Sequence, residues 1–263
     1  MTFLRVAVVG AGAIGSSVAE GLASGAVPAA ILSGVIVRRP ESAAEHPTLT
    51  LEQALVTSDL IVECASVAAV ATIGPRVIDA GKDLLVTSVG ALADAALRRR
   101  LLDDGPGRTF VTTGAIGGLD LLAAASRGDG LHTVRLTTTK APSTVVQPWM
   151  SAEERDRILT TEVPIEAYSG TVQDAIRLFP KSLNVAVSLA LATRLWDSAV
   201  VTMIADPAAE LTTHRIVASG RSGDYDFTIR NLPHPANPAT SAIVPQAVLA
   251  GIARLAKPCG SFA

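Results

Sequence analysis

A glycine-rich turn near the start of the chain constrains the fold more than any other sequence feature. The apolar, β-branched run Leu4–Val9 is followed directly by glycines in the spacing G-x-G-x-x-G and then by a helical pattern. In a strand–turn–helix unit, such glycines permit a tight turn, close approach of a pyrophosphate and close helix–strand packing, and the helix N-terminus binds the anion. The motif in this context predicts dinucleotide binding; the alternative is a glycine-rich turn of an unrelated α/β fold. The predicted contacts are Gly10, Gly12, Ala13, Ile14 and Gly15.

The rest of the first half continues the pattern of a parallel sheet. Short apolar runs alternate with helical patterns, as expected for buried strands joined by crossover helices. We predict an α/β, doubly wound Rossmann domain over residues 1–112. The further predicted strands are Ile31–Val37, Leu60–Cys64, Leu84–Thr87 and Phe110–Thr112, and the predicted helices after the first are Thr50–Thr57, Val67–Ala80 and Leu92–Leu102.

The second half of the chain has a different sequence pattern. Threonine-rich segments with alternating polarity predict an antiparallel sheet with one solvated face, and two helical patterns interrupt them. This predicts an α+β domain over residues 113–235. The last segment, 236–263, holds an apolar helix from Thr240 to about Leu255, which we expect to pack back on the Rossmann domain. The predicted strands are Thr133–Thr139, Val200–Ile204, His214–Ser219 and Tyr225–Ile229, and the helices are Thr171–Leu178 and Leu183–Leu195.

The end of the second predicted strand bears on the choice of cofactor. An acidic residue there would accept the ribose hydroxyls of NAD and repel the 2′-phosphate of NADP. This chain instead has Arg38 and Arg39, with no acidic residue before Glu41. Guanidinium groups pair with phosphates and stack on adenine. We predict NADP or NAD as cofactor, with NADP accepted and a preference for it left open; the alternative is that one or both arginines only face solvent.

Composition excludes several classes of protein. The chain has 22 Lys and Arg against 24 Asp and Glu, so it lacks the basic surface of a nucleic-acid-binding protein. No apolar run approaches the roughly 18 residues of a membrane span. Its two cysteines, Cys64 and Cys259, have neither the spacing of a zinc site nor that of a redox CxxC motif, so we predict no metal site and a reducing, cytoplasmic location. Cys64 ends a predicted strand near the nucleotide-binding edge, and we interpret it as a packing residue beside the cofactor.

Six segments follow one another in order along nearly the whole chain: Val62–Ser66, Thr87–Asp94, Gly114–Asp120, Leu178–Lys181 with Asn184–Ala186, Ala205–Pro207 with His214, and Asn237–Pro238 with Thr240–Ser241. Together these segments resemble the L-aspartate dehydrogenase family. The resemblance implies NAD(P)-dependent oxidative deamination of L-aspartate to iminosuccinate, which hydrolyses to oxaloacetate and ammonia, or the reverse amination. It also implies a homodimer whose second, mixed-sheet domain supplies the substrate site.

The resemblance further implies roles for individual residues. His214 matches the catalytic histidine, and histidine can exchange a proton near neutral pH. Ala115 and Asn184 match cofactor contacts; an amide within an apolar helix needs a partner such as the nicotinamide carboxamide. Lys140 could bind a substrate carboxylate, or it could be an ordinary exposed lysine. From the matching segments we also assign Cys64, Ala65 and Ser88 to the cofactor and Gly117, in a turn with exposed amides, to the substrate.

Two other functions stay open at this point. The same scaffold could reduce a different imine or oxo acid, or the chain could be a dinucleotide-binding sensor without turnover. Activity with other dicarboxylates or amines would favour the first, and dinucleotide binding without turnover would favour the second. In each case we expect a small-molecule ligand, with no nucleic acid or membrane partner.

Overall fold

The computed structural model describes residues 3–43, 46–127, 130–180 and 182–257. Lys181, which belongs to one of the six segments, and Cys259 lie outside the described residues. The chain forms two compact units. Unit 1 consists of Met1–Gly114 and Val244–Ala263, and unit 2 consists of Ala115–Ile243.

Unit 1 contains a parallel sheet with the strand order β2-β1-β3-β4-β5 in the described residues. The central strands are buried throughout, which explains their continuous apolar sequences. The predicted α/β Rossmann architecture is therefore confirmed. Its elements are β1 (Leu4–Val9), α1 (Ala13–Ala23), β2 (Ala30–Ile36), α2 (Leu51–Thr57), β3 (Leu60–Glu63), α3 (Val67–Asp79), β4 (Asp83–Val86), α4 (Ala95–Leu102) and β5 (Thr109–Val111).

Local side-chain caps fix where the helices of unit 1 begin. Thr50 and Gln53 form a reciprocal capping box at α2, and Ser66 and Asp94 accept backbone hydrogen bonds at the starts of α3 and α4. Residues Val89–Ala93 form a 3-10 turn, so the predicted helix Leu92–Leu102 begins three residues later than expected. Because the caps hold the helix starts, they also define the turns at the carboxyl edge of the sheet.

Unit 2 contains a mixed sheet with the order β10-β9-β6-β8-β7 and a small β11-β12 hairpin in the described residues. Its elements are α5 (Leu119–Arg127), β6 (Leu131–Lys140), α6 (Pro142–Val145), α7 (Ala152–Leu159), β7 (Ile165–Gly170), α8 (Val172–Leu178), α9 (Asn184–Thr193), β8 (Val200–Ala205), β9 (Thr212–Gly220), β10 (Gly223–Asn231), β11 (Pro233–His234) and β12 (Asn237–Ser241).

The sheet of unit 2 is mixed, as the family resemblance implied, although the polarity pattern alone predicted an antiparallel sheet. β6 pairs with β8 in parallel, so the sheet is not wholly antiparallel. Alternating polarity reports that one face of a strand is solvated, and it carries no information about the direction of the neighbouring strand. The sequence patterns did not predict the elements α5, α6, α7, β7, β11 and β12.

The C-terminal helix α10 (Val244–Ala256) belongs to unit 1. It packs against α1, and its buried Val248, Leu249 and Ile252 join the core formed around β1 and β3. The predicted return of the last helix to the Rossmann unit is confirmed. The helix begins at Val244, not at Thr240, because Asn237–Ser241 forms strand β12.

Among the described residues, no helix is both long enough and apolar enough to cross a membrane.

Candidate functional site

The glycine turn after β1 has the geometry that the motif predicts. Gly10 has a φ of +95°, and a Cβ there would lie 2.9 Å from the Cβ of Ala65. A Cβ on Gly15 would overlap the carbonyl oxygen of Gly10. These two glycines are therefore required by the fold itself.

Gly12 differs from its neighbours because a Cβ there would meet no described atom within 4 Å. Nothing inside the described chain excludes a side chain at this position. Gly12 also stands at the N-cap of α1, where no described side chain provides a capping hydrogen bond. Open space above an uncapped helix N-terminus fits the pyrophosphate of a dinucleotide, which would be held by the amides of Ala13 and Ile14.

Arg38 and Arg39 lie just after β2, separated from it by Val37, and both are exposed. A cavity of about 330 Å³ lies between α1 and the segment after β2. His46 lines it with a side chain that is 18% exposed, and its Nε2 lies 3.8 Å from Glu20 Oε2.

The turns after β3 and β4 hold the other predicted cofactor residues of unit 1. Burial raises the pKa of the Cys64 thiol to about 12, and its Sγ lies 3.6 Å from Thr87 Oγ1. A protonated, buried thiol is a packing group and not a nucleophile. The backbone amide of Ala65 and both the amide and hydroxyl of Ser88 donate hydrogen bonds to Glu63. Sequence analysis did not single out Glu63; the available signal was an acidic residue at the end of an apolar strand.

Unit 2 contains a buried polar cluster formed by Thr138, Lys140 and His214. On β6 the buried face changes from Val134 and Leu136 to Thr138 and Lys140. His214 lies on β9 directly opposite Thr138, and its Nδ1 is 3.0 Å from Thr138 Oγ1. Lys140 Nζ donates a hydrogen bond to the carbonyl oxygen of Ala239, at 3.0 Å. The sequence did not indicate Thr138 as a partner of the histidine.

Burial controls the protonation of this cluster. Lys140 is 4% exposed, and desolvation lowers its pKa from 10.5 to about 8. His214 is 2% exposed, and desolvation, followed by the charge of Lys140, lowers its pKa from 6.5 to about 3. Near neutral pH the pair is therefore a largely cationic lysine beside a neutral histidine. The alternative that Lys140 is an ordinary exposed lysine is therefore wrong. Because burying a cation costs free energy, its position needs a reason beyond the fold.

The turn between β5 and α5 lies at the same end of the unit 2 sheet. The carbonyl oxygen of buried Ala115 accepts a hydrogen bond from Asn231 Nδ2 at 2.8 Å, and Asn231 pairs with Thr212, two residues before His214. A Cβ on Gly117 would meet no described atom within 4 Å. Asp120 is the second residue of α5, where its negative charge interacts favourably with the helix dipole.

Asn184 is the first residue of α9 and is only partly buried. The sequence placed it inside an apolar helix, where burial would demand a partner. The structure removes that argument, because a residue in the first turn faces a helix end and not a helix interior. Its proposed contact with the cofactor therefore rests on the family resemblance.

Comparisons with known proteins agree along the whole chain. The family model for the homoserine dehydrogenase NAD-binding domain matches residues 10–106, and that for the C-terminal part of aspartate dehydrogenase matches residues 120–255. An L-aspartate dehydrogenase of Ruegeria pomeroyi is 35% identical over 95% of this chain and 91% of its own length. L-aspartate dehydrogenase 3 of Bordetella bronchiseptica is 35% identical over 97% and 96%, respectively. A crystal structure of aspartate dehydrogenase from Thermotoga maritima superposes with a TM-score of 0.76 and 25% identity, covering 99% of this chain and 98% of that chain.

The Rossmann unit, its glycine turn and these matches define an oxidoreductase that uses a nicotinamide dinucleotide. The chain belongs to the L-aspartate dehydrogenase family, as the sequence resemblance indicated.

Proposed function

We propose that this enzyme interconverts L-aspartate and iminosuccinate with NADP or NAD, and that iminosuccinate is hydrolysed to oxaloacetate and ammonia. The observation that carries the proposal is the buried cluster of Thr138, Lys140 and His214 in a chain that matches an L-aspartate dehydrogenase over 95% of its length. A buried cation that has no anionic partner among the described residues, beside a neutral base, suits a substrate that brings carboxylates and an amine that must lose a proton.

Lys140 is proposed to bind a substrate carboxylate. Its ammonium group has three donors, and the structure shows one of them bonded to Ala239. The others can bind a carboxylate within the buried site, where a charge-assisted hydrogen bond is strong. The backbone of Gly117, which has open space beside it, is proposed as a second contact.

His214 is proposed to accept the proton that the substrate ammonium group releases as the C–N bond becomes an imine. The cofactor, when bound, would supply the acceptor for the hydride that leaves Cα. A pKa of about 3 makes the histidine a weak base in the free protein. Desolvation is the main cause of this low pKa, and a dicarboxylate at Lys140 would raise the pKa by offsetting the smaller contribution of the lysine charge. Thr138 holds the ring through Nδ1, which directs Nε2 to the substrate.

The cofactor contacts are proposed at the glycine turn, at Cys64, Ala65 and Ser88, and at Ala115 and Asn184. We propose that NADP is accepted because Arg38 and Arg39 are both exposed beside the end of β2. Replacing both arginines with alanine should raise the KM for NADPH at least ~10-fold while changing the KM for NADH less than about twofold. Arg99→Ala, an exposed arginine on α4, is the matched control. Equal effects on both cofactors would reject the phosphate contact.

A homodimer in the cytoplasm remains our expectation for the working enzyme. Light scattering coupled to size exclusion should give twice the chain mass of 27.0 kDa. A mass equal to one chain at assay concentration would reject the dimer.

The reaction is tested by following oxidation of NADPH and NADH separately with oxaloacetate and ammonia, and repeating each assay without ammonia. Ammonia-dependent oxidation is the expected result. Oxidation without ammonia would indicate reduction of the oxo acid itself. No oxidation with either cofactor would reject aspartate as the product and direct the search to other imines.

The role of His214 is tested by His214→Gln. We expect kcat to fall about 100-fold or more, because general acid–base catalysis contributes 10²–10⁴-fold, while the Kd for NADPH stays nearly constant. His132→Gln, on the exposed face of β6, is the control and should leave kcat unchanged. Equal losses of kcat and dinucleotide affinity would mean that His214 is structural.

A further inference from the structure

Glu63 is a buried acidic residue that the proposed reaction does not use. It is the last residue of β3 and is 0% exposed, after Leu60, Ile61 and Val62 in the same strand. Placing a carboxylate in such a position costs free energy unless hydrogen bonds compensate for the lost water. Its surroundings therefore need an explanation.

Four hydrogen bonds converge on the Glu63 carboxylate. Oε1 accepts from the amides of Ala65 at 2.7 Å and Ser66 at 2.8 Å and from the Ser88 hydroxyl at 2.9 Å. Oε2 accepts from the amide of Ser88, at 2.9 Å. Since backbone amides can only donate, this geometry favours an ionised carboxylate, which offers acceptors alone. Burial raises the pKa of Glu63, and the four hydrogen bonds oppose that rise.

These contacts join the turns that follow two neighbouring parallel strands. Ala65 and Ser66 lie between β3 and α3, and Ser88 lies between β4 and the 3-10 turn Val89–Ala93. Ala65 also packs directly against Gly10 in the glycine turn. Glu63 thus holds together the carboxyl edge of the sheet, which is the edge where dinucleotides bind in this fold.

We propose that Glu63 is a positioning residue for the dinucleotide: its carboxylate fixes the turns of Ala65 and Ser88, and through Ala65 the glycine turn, in the arrangement that binds the cofactor. The proposal rests on the proposed function in that Ala65 and Ser88 are taken as cofactor contacts. Glu63 itself acts through these turns and is not a catalytic residue.

The isosteric substitution Glu63→Gln isolates the effect. In this variant an amide oxygen at the position of Oε1 keeps three hydrogen bonds. The amide nitrogen at the position of Oε2 then faces the Ser88 N–H group, so two donors meet and the fourth hydrogen bond is lost. We expect the Kd for NADPH, measured by fluorescence titration without substrate, to rise at least ~10-fold. At saturating cofactor, kcat should stay within about twofold of the original, which separates positioning from catalysis.

Glu52→Gln, an exposed carboxylate on α2, is the matched control and should leave the Kd unchanged. An unchanged Kd in Glu63→Gln would overturn the proposal. If that variant does not fold, Glu63→Asp replaces it, because the shorter side chain keeps the charge but cannot reach both turns; an unchanged Kd there overturns the proposal equally. Because binding is measured without substrate, failure of the aspartate assay leaves this test intact.

Discussion

At the scale of one residue, Lys140 lowers the stability of the folded protein at neutral pH, although it is proposed to bind the substrate. Its pKa is lower in the folded protein, about 8, than the ordinary 10.5, so folding favours the neutral amine. The stability associated with this group is therefore present above about pH 10.5 and is lost as the pH falls through about 8. At neutral pH the protein carries a buried cation that the fold alone does not need.

Lys140→Met should stabilise the protein and impair catalysis. An apolar side chain of similar length removes the buried charge, although it leaves the Ala239 carbonyl without that donor, so we expect a net gain of ~1 kcal/mol near pH 7. The gain should shrink between about pH 8 and pH 10.5, where the wild-type lysine becomes neutral. The KM for oxaloacetate should rise at least ~10-fold. Thermal unfolding across pH and steady-state kinetics measure both effects.

Lys82→Met is a suitable control for that experiment. Lys82 also donates to a backbone carbonyl, that of Ser58, but it is only partly buried. It should show neither the stabilisation nor the change in KM. A Lys140→Met protein that is less stable at pH 7 and binds substrate normally would contradict the role proposed for Lys140.

At the scale of one element, the turn before α5 contains two adjacent glycines with different roles: Gly118 is required by the structure, and Gly117 lies beside the space proposed for the ligand. Gly118 has a φ of +75°, and a Cβ there would lie 2.7 Å from the Phe227 ring. Gly117 has neither constraint. Gly118→Ala should therefore cost about 1–3 kcal/mol of stability. Gly117→Ala should leave stability unchanged and raise the substrate KM at least ~10-fold, because the new methyl group occupies the space proposed for the ligand.

Denaturant unfolding and kinetics on the two alanine variants test this pair together, each variant serving as control for the other. If Gly117→Ala were destabilising, the turn would be constrained by the chain at both positions. If it kept a normal KM, the ligand would not approach this turn.

The elements that sequence analysis predicted are those defined by local pattern. The Rossmann strands are continuous apolar runs, and the glycine turn is specified by residues that the fold requires at Gly10 and Gly15. Helix α7 was missed because its Ala152–Leu159 sequence is highly charged, although Ser151 and Glu154 form a capping box that could have indicated its start. The parallel β6–β8 pairing, the contact of Glu63 with Ser88 and that of Thr138 with His214 join residues distant in sequence, so no local pattern encodes them.

At the scale of the whole molecule, the core of unit 1 is built from both ends of the described chain. Val6 and Val8 of β1 share a cluster with Val248 and Ile252 of α10, although unit 2 lies between them in sequence. The dinucleotide-binding unit is therefore complete only after the chain has been synthesised through α10. The packing of β1 therefore depends on side chains of α10, which is synthesised after unit 2.

Ile252→Ala tests this dependence. Ile252 is 0% exposed, and removing a buried isoleucine side chain should cost about 2–5 kcal/mol. Both tryptophans of the chain, Trp149 and Trp196, lie in unit 2, so tryptophan fluorescence reports on unit 2. Far-UV circular dichroism reports on the secondary structure of both units. We expect the variant to lose stability in the dichroism signal, and excess NADPH to restore part of the loss because it binds the folded unit 1. Ile243→Ala, 45% exposed just before α10, is the matched control. If Ile252→Ala lost as little stability as Ile243→Ala, α10 would contribute nothing to the core that supports the cofactor.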